Sequence, residues 1–286
     1  MSKLIPNNET LVRFVPNVLK SVQGELALFE KIQSHLEVAE DWLCANFLSA
    51  PVLEMLAVSG DDAINKLLHH ARIAEVAEAM LHAIPQLDLV LTPNGFGIVS
   101  NSNVAPASKE RVERLLASLE KMRDDTLQVL LPMLAAEPTW AERDPCQYFQ
   151  SVLYPWLDLP RKLGSTDHVW QQFQSLHSRM VEIEQRLAAD FFSSSLMDAL
   201  RHAHLFGAWS GTPSAQHYKS AWQHIFAIEL FMLRENECPV PSCIEVVNAL
   251  RNAPDGVFEE WKQSPVALLF ENHGFQNKKR SGGYWF

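Results

Sequence analysis

The chain has 286 residues, of which 47% are hydrophobic, and its formal net charge is −10 at neutral pH. That length can bury a sizeable core and corresponds to one or two domains. The charge disfavours a broad phosphate-binding face, so nucleic acid is not expected as the main partner. No stretch approaches the roughly 18 uncharged apolar residues of a membrane span, and the first ten residues lack the apolar core of a signal peptide. We therefore expect no membrane partner and a cytoplasmic site of synthesis.

The first half reads as helices interrupted by one β element. An extended lead-in over residues 1–23 precedes a helix over 25–49 and a second helix that ends at Pro85. Residues 87–100 then alternate as two β-rich runs around Pro93-Asn94-Gly95, and Asn-Gly supplies the positive φ angles of a tight turn. A long helix from Ser108, its expected N-cap, to Pro132 completes this half.

The second half repeats the helical pattern without the hairpin. Residues 137–164 are rich in proline and aromatics, which predicts a packed connector instead of a loose linker. Helices follow over about 167–202, 214–234 and 242–250, with a short one near 257–261. The predicted domains are a first helical repeat with its hairpin over 1–136, the connector over 137–164, a second repeat over 165–262 and a C-terminal tail over 263–286.

A gapless comparison of the two halves indicates tandem duplication. When each residue from Gly24 to Ile84 is set against the residue 144 positions later, two apolar ladders of the same spacing superpose. Identical pairs lie outside the ladders as well: Ser34/Ser178, Glu40/Glu184, Ser49/Ser193, Ala71/Ala215, Ala77/Ala221, Ala83/Ala227 and Ile84/Ile228. The predicted fold class is mainly α, with two pseudo-repeated helical bundles and one β-hairpin inserted in the first half.

No motif for catalysis, cofactor binding or metal binding is apparent. A helix face carrying His217 and His224, with Glu229 nearby, is the best candidate for a metal site. It lacks a recognised ligand motif, and hydrogen-bonded or exposed histidines are the preferred interpretation. Cys238 and Cys243 resemble half a zinc site without a second pair downstream, so reduced thiols are expected. We predict no catalytic residue, no cofactor and no metal.

Two segments are typical of protein contacts. The hairpin is present in one half alone, and such asymmetric additions are common places for specialised contacts. The tail joins a basic run to a flexible Ser-Gly-Gly and three aromatics, which are frequent anchors at interfaces. Folding of the tail onto its own domain is an equally open alternative. The predicted interaction residues are Thr92, Pro93, Asn94, Gly95 and Phe96 of the hairpin, and Lys278, Lys279, Arg280, Tyr284, Trp285 and Phe286 of the tail.

The run LTPNGFGIVSNSNVAPASKERVERLL, the earlier FVPNVL and LEVAEDWL, and KKRSGGYWF resemble a family of uncharacterised proteins encoded in phages and prophages of Bacteroides-type bacteria. The likeness extends over nearly the whole chain. Its most specific part is residues 92–97 through 106–111. Such genes lie among virion structural genes, so the resemblance implies a head-to-tail connector or adaptor, and it brings no catalytic residues.

The first functional hypothesis is therefore a virion structural protein, made in the host cytoplasm. We expect it to assemble as a homo-oligomeric ring and to contact the portal or other neck and tail proteins. The alternative is a helical regulatory protein that binds a small molecule or a peptide in a groove between the copies. A metal-dependent enzyme using His217, His224 and Glu229 is the third hypothesis.

Overall fold

The computed structural model describes residues 2–15, 26–58, 62–87, 89–92, 95–98, 108–209 and 213–271. The chain divides into two compact units, unit 1 (Met1–Ser178) and unit 2 (Arg179–Phe286). This division lies within a helix of the second predicted repeat, whereas the sequence-based domain boundaries followed the duplication.

Within the described residues, unit 1 contains helices α1 (Asn8–Phe14), α2 (Leu28–Leu43), α3 (Ala50–Val58), α4 (Asp62–Ala83), α5 (Lys109–Ala135), α6 (Asp144–Gln150) and α7 (Leu159–Lys162), with a π-helix at Cys44–Leu48 and a 3-10 turn at Ile84–Gln86. Helix α8 (Val169–Leu187) crosses the division between the units. Unit 2 continues with a π-helix at Ala188–Phe192 and helices α9 (Ser194–Leu205), α10 (Pro213–Glu235), α11 (Val240–Arg251), α12 (Glu259–Lys262) and α13 (Pro265–Leu268).

The predicted fold class needs a correction. Helices make up most of the described residues, so the class is mainly α, without a β component of the architecture. Extended pairing within the described residues is confined to β1 (Leu89–Thr92) and β2 (Gly95–Ile98), four residues each, with Leu89 opposite Ile98 and Thr92 opposite Gly95. Two such short strands form no sheet layer, because a sheet needs more strands and an apolar face packed against the core. The alternating pattern of residues 87–100 reflects a local extended conformation. The prediction of a β-hairpin as part of the fold class was wrong.

Several helix ends also differ from the predictions. The lead-in contains α1, whose Asn7 side chain accepts a hydrogen bond from the Thr10 N–H at 2.9 Å. Pro132 lies inside α5, which continues to Ala135 because the buried Leu131 and Leu134 hold its last turn in place. Packing therefore offsets the ladder hydrogen bond that a proline removes.

The two halves share the same irregular break after their first long helix. In each half that helix ends in a five-residue π-helix, and the π-helices start at Cys44 and Ala188, 144 positions apart. A serine with positive φ follows each one, Ser49 at 72° and Ser193 at 61°. Positive φ is unfavourable for a residue with a side chain, so it persists only where the surroundings impose it. Two identical strained breaks at the spacing of the sequence repeat are the structural signature of the duplication.

A buried tryptophan completes each break. The Trp140 indole N–H donates to the Phe47 carbonyl oxygen at 2.5 Å in unit 1, and the Trp261 indole donates to Phe191 at 2.8 Å in unit 2. The acceptors are again 144 positions apart, and Trp140 and Trp261 are 0% and 2% exposed. A π-helix spaces its hydrogen bonds at five residues, which disturbs the regular ladder around it. In both halves, a tryptophan from later in the chain supplies a donor for a carbonyl of this turn.

Aromatic side chains surround the break in unit 1. The Phe47 ring lies 4.7 Å from that of Trp170 and 5.6 Å from that of Phe149, measured between centroids. Phe149 in turn lies 6.2 Å from Trp140 and 6.1 Å from Phe173. Such tilted contacts add to the area that the rings bury. The proline-rich and aromatic-rich residues 137–164 thus contribute to the core of unit 1.

The gapless alignment does not extend into the second helix of each repeat. Ala83 is fully buried in α4, whereas Ala227, its partner at a spacing of 144, is exposed on α10. A spacing of 154 positions matches buried with buried instead, pairing Leu67/Ala221, Ala71/Ile225, Ala74/Ile228, Glu75/Glu229 and Ala79/Leu233. The alanine identities from residue 71 onward were therefore not structural equivalents, because α9 and the α9–α10 connection are longer than their counterparts in the first half and α10 starts earlier.

We expect Trp261→Phe to lower the free energy of unfolding by about 1–3 kcal/mol, because the Phe191 carbonyl loses its donor in a buried setting. Urea unfolding followed by circular dichroism measures the change. Trp209→Phe is the control, since Trp209 is only partly buried and its indole makes ring contacts. Equal losses in the two variants would show that the indole hydrogen bond contributes nothing.

Candidate functional site

An apolar groove lies between α10 and α11. It has a volume of about 510 Å³ and lies entirely within unit 2. That volume falls in the range of sites that bind small molecules or peptide side chains. Its lining consists of His217, Ser220, Ala221, His224, Ala227, Ile228 and Phe231 from α10, Pro239, Ser242, Glu245, Val246, Ala249 and Leu250 from the α11 side, and Phe258.

The spacing of residues along α10 explains one wall of the groove. Positions 217, 220, 221, 224, 227, 228 and 231 recur at steps of three or four residues, which places them on one face of a helix. Phe231 is 42% exposed at one end of this stripe. A large aromatic left that exposed on a face of small and apolar residues lacks the covering that a core position would have.

Phe258 and Tyr218 define the other end. Phe258 adopts a left-handed conformation with φ of 59°, and its N–H donates to the Tyr218 hydroxyl oxygen at 3.2 Å. The Tyr218 hydroxyl donates to a Glu260 carboxylate oxygen at 2.6 Å, and burial together with this carboxylate raises the pKa of Tyr218 to about 12. These bonds fix the Phe258 backbone, so contacts within unit 2 itself hold this end of the groove in place.

Comparison with unit 1 shows why the groove is open. At the spacing of 154, His224 corresponds to His70 and Phe231 to Ala77. Helix α5 packs along α4 in unit 1, and an ion pair between Arg123 and Glu78 at 2.7 Å joins the two helices across a buried contact. Ala77 is 0% exposed in this arrangement. Helix α11, the counterpart of α5, has 12 residues where α5 has 27, and the larger Phe231 side chain stays partly uncovered.

The structure does not bring together the three residues considered as a candidate metal site. His217 and His224 line the groove, but Glu229 is fully buried and is not part of the lining. His224 places its Nδ1 atom 2.7 Å from the Ser220 carbonyl oxygen. Sulfur atoms of Cys238 and Cys243 lie 3.9 Å apart. Over the described ranges, no three His, Cys, Asp or Glu side chains are grouped so that they could hold an ion.

Glu229 instead faces another carboxyl group in the interior of unit 2. Glu184 and Glu229 are both 0% exposed, and burial followed by the nearby Glu184 raises the pKa of Glu229 well above its ordinary value. Glu184 accepts a hydrogen bond from the Arg201 Nε atom at 2.8 Å. One guanidinium therefore stands beside two carboxyl groups, and the proton held by Glu229 limits the buried negative charge.

Unit 1 contains the equivalent carboxyl pair, Glu40 and Glu75, with a different partner. Glu40 accepts hydrogen bonds from the Ser2 hydroxyl and the Leu4 N–H, each at 2.9 Å, and from the Lys3 N–H at 2.6 Å. Burial, with Glu40 close by, raises the pKa of Glu75 to about 8. The N-terminal segment in unit 1 thus takes the place that Arg201 has in unit 2.

Neither carboxyl pair forms an active site. A general acid or base must reach a substrate, and the side chains of Glu75, Glu184 and Glu229 have no solvent exposure. Both carboxyl oxygens of Glu75 and of Glu229 are buried without a hydrogen-bond partner in the structure. The raised pKa values of Glu75 and Glu229 result from packing a carboxyl pair into each core, and they make the stability of the fold depend on pH.

The chemical capacity of the groove is binding of an apolar group. Its lining holds one carboxylate, Glu245, which is exposed, and neither lysine nor arginine. The two histidines offer hydrogen bonds at one wall, and the remaining side chains offer mainly apolar contact.

The predicted interaction residues lie elsewhere or outside the described part. Thr92, Gly95 and Phe96 belong to the backbone ladder of β1 and β2. Pro93 and Asn94 fall outside the described residues, as do Lys278, Lys279, Arg280, Tyr284, Trp285 and Phe286. Phe231, Ala227 and Val246 were not among the predicted residues. For Phe231 and Ala227 the signal was a second apolar stripe on α10, which the gapless alignment concealed by matching this helix ten residues out of register.

Comparison with known proteins gives a limited result. The chain is similar over residues 25–150 to a family of unknown function (DUF6712). Searches among curated proteins and among solved structures found no match. The matched segment begins before α2 and ends with α6, so it covers the first repeat and the tryptophan that completes its break, and it leaves the groove outside.

The helices were also compared with the requirements of a membrane span. Among the described residues, no single helix has both the length and the apolar character to cross a membrane. Leu28–Leu48 together with Ala50–Val58 meets the criteria as a pair, but with a bend of 111° between its members.

We expect Glu75→Gln to change how stability depends on pH. The folded pKa of about 8 exceeds the ordinary value of 4.5, so the folded state binds more protons between these two pH values. Stability contributed by this group is therefore present below pH 4.5 and falls as pH rises toward 8, by up to about 1.4 kcal/mol per pH unit.

In Glu75→Gln the part of this fall that Glu75 contributes should disappear, leaving the smaller loss that Glu229 still supplies, which urea unfolding at pH 5 and pH 8 would reveal. Glu30→Gln removes an exposed glutamate from α2 and should leave the wild-type dependence intact. If Glu75→Gln retains the full loss of stability between the two pH values, Glu75 is not its source.

Proposed function

We propose that this chain is an assembly protein that binds other protein chains through the α10–α11 groove and performs no chemistry of its own. The observation that carries the proposal is the partly exposed Phe231, at a position where the corresponding Ala77 of unit 1 is buried. In unit 1 this helix face packs against α5, where a more open hollow of about 440 Å³ lined by His70 and Ile73 remains. In unit 2 the same face ends in a groove with mainly apolar walls, which favours an apolar segment of a protein as its ligand.

A second exposed apolar surface supports assembly between copies. Leu268 and Leu269, at the end of α13, are 55% and 71% exposed. The groove and this leucine pair differ in shape, and contact between two unlike surfaces generates a ring if the rotation closes. A head-to-tail connector of a phage particle, built as a homo-oligomeric ring next to a portal or other neck and tail proteins, is the specific form of this proposal.

Binding of a small apolar ligand is the second candidate function. The groove volume of about 510 Å³ and the two histidines at its wall favour it. The site lies within unit 2, so it differs from the groove between copies expected from the sequence. An assembly contact should depend on protein concentration, whereas occupation by a small molecule should not.

We expect Phe231→Glu to weaken self-association at least tenfold, because it places a charge on an apolar contact surface. Size-exclusion chromatography with light scattering over a range of concentrations measures the molar mass. Wild-type protein should rise above the monomer mass of 32.4 kDa, and the variant should stay near it. Val38→Glu adds the same charge at a 57% exposed valine of α2 in unit 1 and should behave as wild type.

Mixing tests whether the two surfaces are unlike partners. A Leu268→Glu/Leu269→Glu variant should also be monomeric alone. Mixed with Phe231→Glu, it should form a species of about twice the monomer mass, since each variant retains one intact surface. A wild-type chain that stays at 32.4 kDa at every concentration, or association that is unchanged in Phe231→Glu, would contradict self-assembly through the groove.

A further inference from the structure

We propose that Cys238 and Cys243 form a reversible dithiol–disulfide pair, and that closing the disulfide changes the shape of the α10–α11 groove. The two sulfur atoms lie 3.9 Å apart, with Cys238 in the turn before α11 and Cys243 within that helix. The inference rests on the proposed function of the groove and adds its regulation by oxidants.

The start of α11 explains why these two side chains meet. Pro239 is the N-cap of α11, so Cys238 precedes the cap and Cys243 is the fourth helical residue. Side chains at these two positions commonly pack against each other where a helix begins. The Cys243 N–H donates to the Pro239 carbonyl oxygen at 3.1 Å, which holds this turn in shape. Two cysteines at these positions therefore form a thiol pair that the helix start itself brings together.

The two thiols differ in their access to a reagent. Cys238 is partly exposed, whereas Cys243 is 0% exposed. Burial, followed by the neighbouring Cys238, raises the pKa of the Cys243 thiol to about 12. An oxidant in solution therefore reacts with Cys238 first, and Cys243 is the thiol that resolves the oxidised product.

The oxidant in this proposal is a hydroperoxide. The Cys238 sulfur attacks one peroxide oxygen, the O–O bond breaks, and the departing oxygen takes the thiol proton, which leaves a sulfenic acid on Cys238. The Cys243 sulfur then attacks the Cys238 sulfur, and the hydroxyl leaves as water with the Cys243 proton. Two thiols lose two electrons in total, and the hydroperoxide gains them. A dithiol reductant reverses the reaction by exchange through a mixed disulfide.

Disulfide formation moves one wall of the groove. An S–S bond is about 2.05 Å long, so the two sulfur atoms must approach each other by roughly 2 Å. Cys243 is buried in unit 2, and the turn that carries Cys238 therefore takes up most of the movement. Pro239 and Ser242 lie between the two cysteines and line the groove. Packed contacts tolerate little displacement, so oxidation should weaken binding in the groove.

The thiol pair belongs to the half of the chain that contains the groove. Residues 84–108, which connect α4 to α5 in unit 1, contain no cysteine. The two other cysteines, Cys44 and Cys146, both lie in unit 1. Cys44 is partly exposed, as Cys238 is, and has no second cysteine within five positions. It is therefore the matched control for oxidation of an accessible thiol without a partner.

Alkylation of the full chain tests whether the disulfide forms. The protein is treated with hydrogen peroxide, alkylated with N-ethylmaleimide in urea without reductant, and digested with trypsin. Residues 235–251 form one peptide with both cysteines, because Arg234 and Arg251 bound it and no lysine or arginine lies between. We expect this peptide to lose two hydrogens and to remain unalkylated. Dithiothreitol added before the alkylation should restore two modified cysteines.

Two further measurements follow the groove. Oxidation should slow amide hydrogen exchange over residues 236–246, since the disulfide fixes the start of α11, and should weaken self-association by roughly threefold or more. Cys238→Ser and Cys243→Ser should each abolish both effects. Cys44→Ser should respond to peroxide as wild type does. Circular dichroism checks that the fold is intact in each variant.

The redox pair is overturned if both cysteines are alkylated after peroxide treatment, or if the disulfide joins two chains and yields a dimer on a non-reducing gel. A disulfide within the chain that leaves amide exchange unchanged would overturn its effect on the groove. These failures are separable from that of the proposed function. Association that depends on Phe231 and is unchanged by oxidation would leave the proposed function standing without this regulation. In protein that stays monomeric, alkylation and amide exchange still decide the inference.

Discussion

The hydrogen bond from a buried indole to the carbonyl of a π-helical turn is the interaction on which each half of this protein depends. Trp140 bonds to Phe47 and Trp261 to Phe191, and each acceptor lies two positions before a serine with positive φ. The break redirects the chain between the first two helices of a repeat. Without a donor at that carbonyl, a strained turn would be buried with an unpaired polar group, which is costly. Because the tryptophan comes from beyond the last long helix of its half, this one contact fastens the start of a repeat to its end.

The two halves differ in the groups that bond to their buried carboxyl pairs and in the length of their last long helix. Each core contains a pair of buried glutamates on its first and second long helices. The N-terminal segment donates to the pair in unit 1, and Arg201 does so in unit 2. Likewise a 27-residue α5 packs along α4, whereas a 12-residue α11 accompanies α10. The two copies therefore differ at this helix face, where unit 1 buries Ala77 and unit 2 leaves Phe231 partly exposed. The proposed function draws on that difference, since a position that one copy buries carries a partly exposed aromatic in the other.

The pattern of charge supports a binding role over a catalytic one. Ionisable groups with displaced pKa values lie inside the cores, where they are sealed from solvent, and the groove itself is poor in such groups. A carboxyl held neutral by burial contributes to the pH dependence of folding, whereas catalysis requires the group to meet a substrate. The carboxyl groups with raised pKa values are buried away from the accessible groove, whereas an acid–base site would place such groups in it.

Periodicity in the sequence determined the helical class, the tandem duplication and the equivalence of the first long helices, because a buried stripe leaves its spacing in the residues themselves. The pairs Glu40/Glu184 and Ser49/Ser193 were visible for the same reason. What the sequence did not determine was the register of the second helices. A longer α9, a longer connection and an earlier start of α10 together shift the buried positions by ten, and the chance alanine matches misled the alignment. The strand-like run at 87–100 also led to the prediction of a β-hairpin as part of the fold class. An alternating pattern indicates a local extended preference, and it does not show that the strands belong to a sheet layer. The tertiary structure alone decided that Phe231 is exposed, because exposure depends on how far a neighbouring helix extends and not on the residue's own pattern.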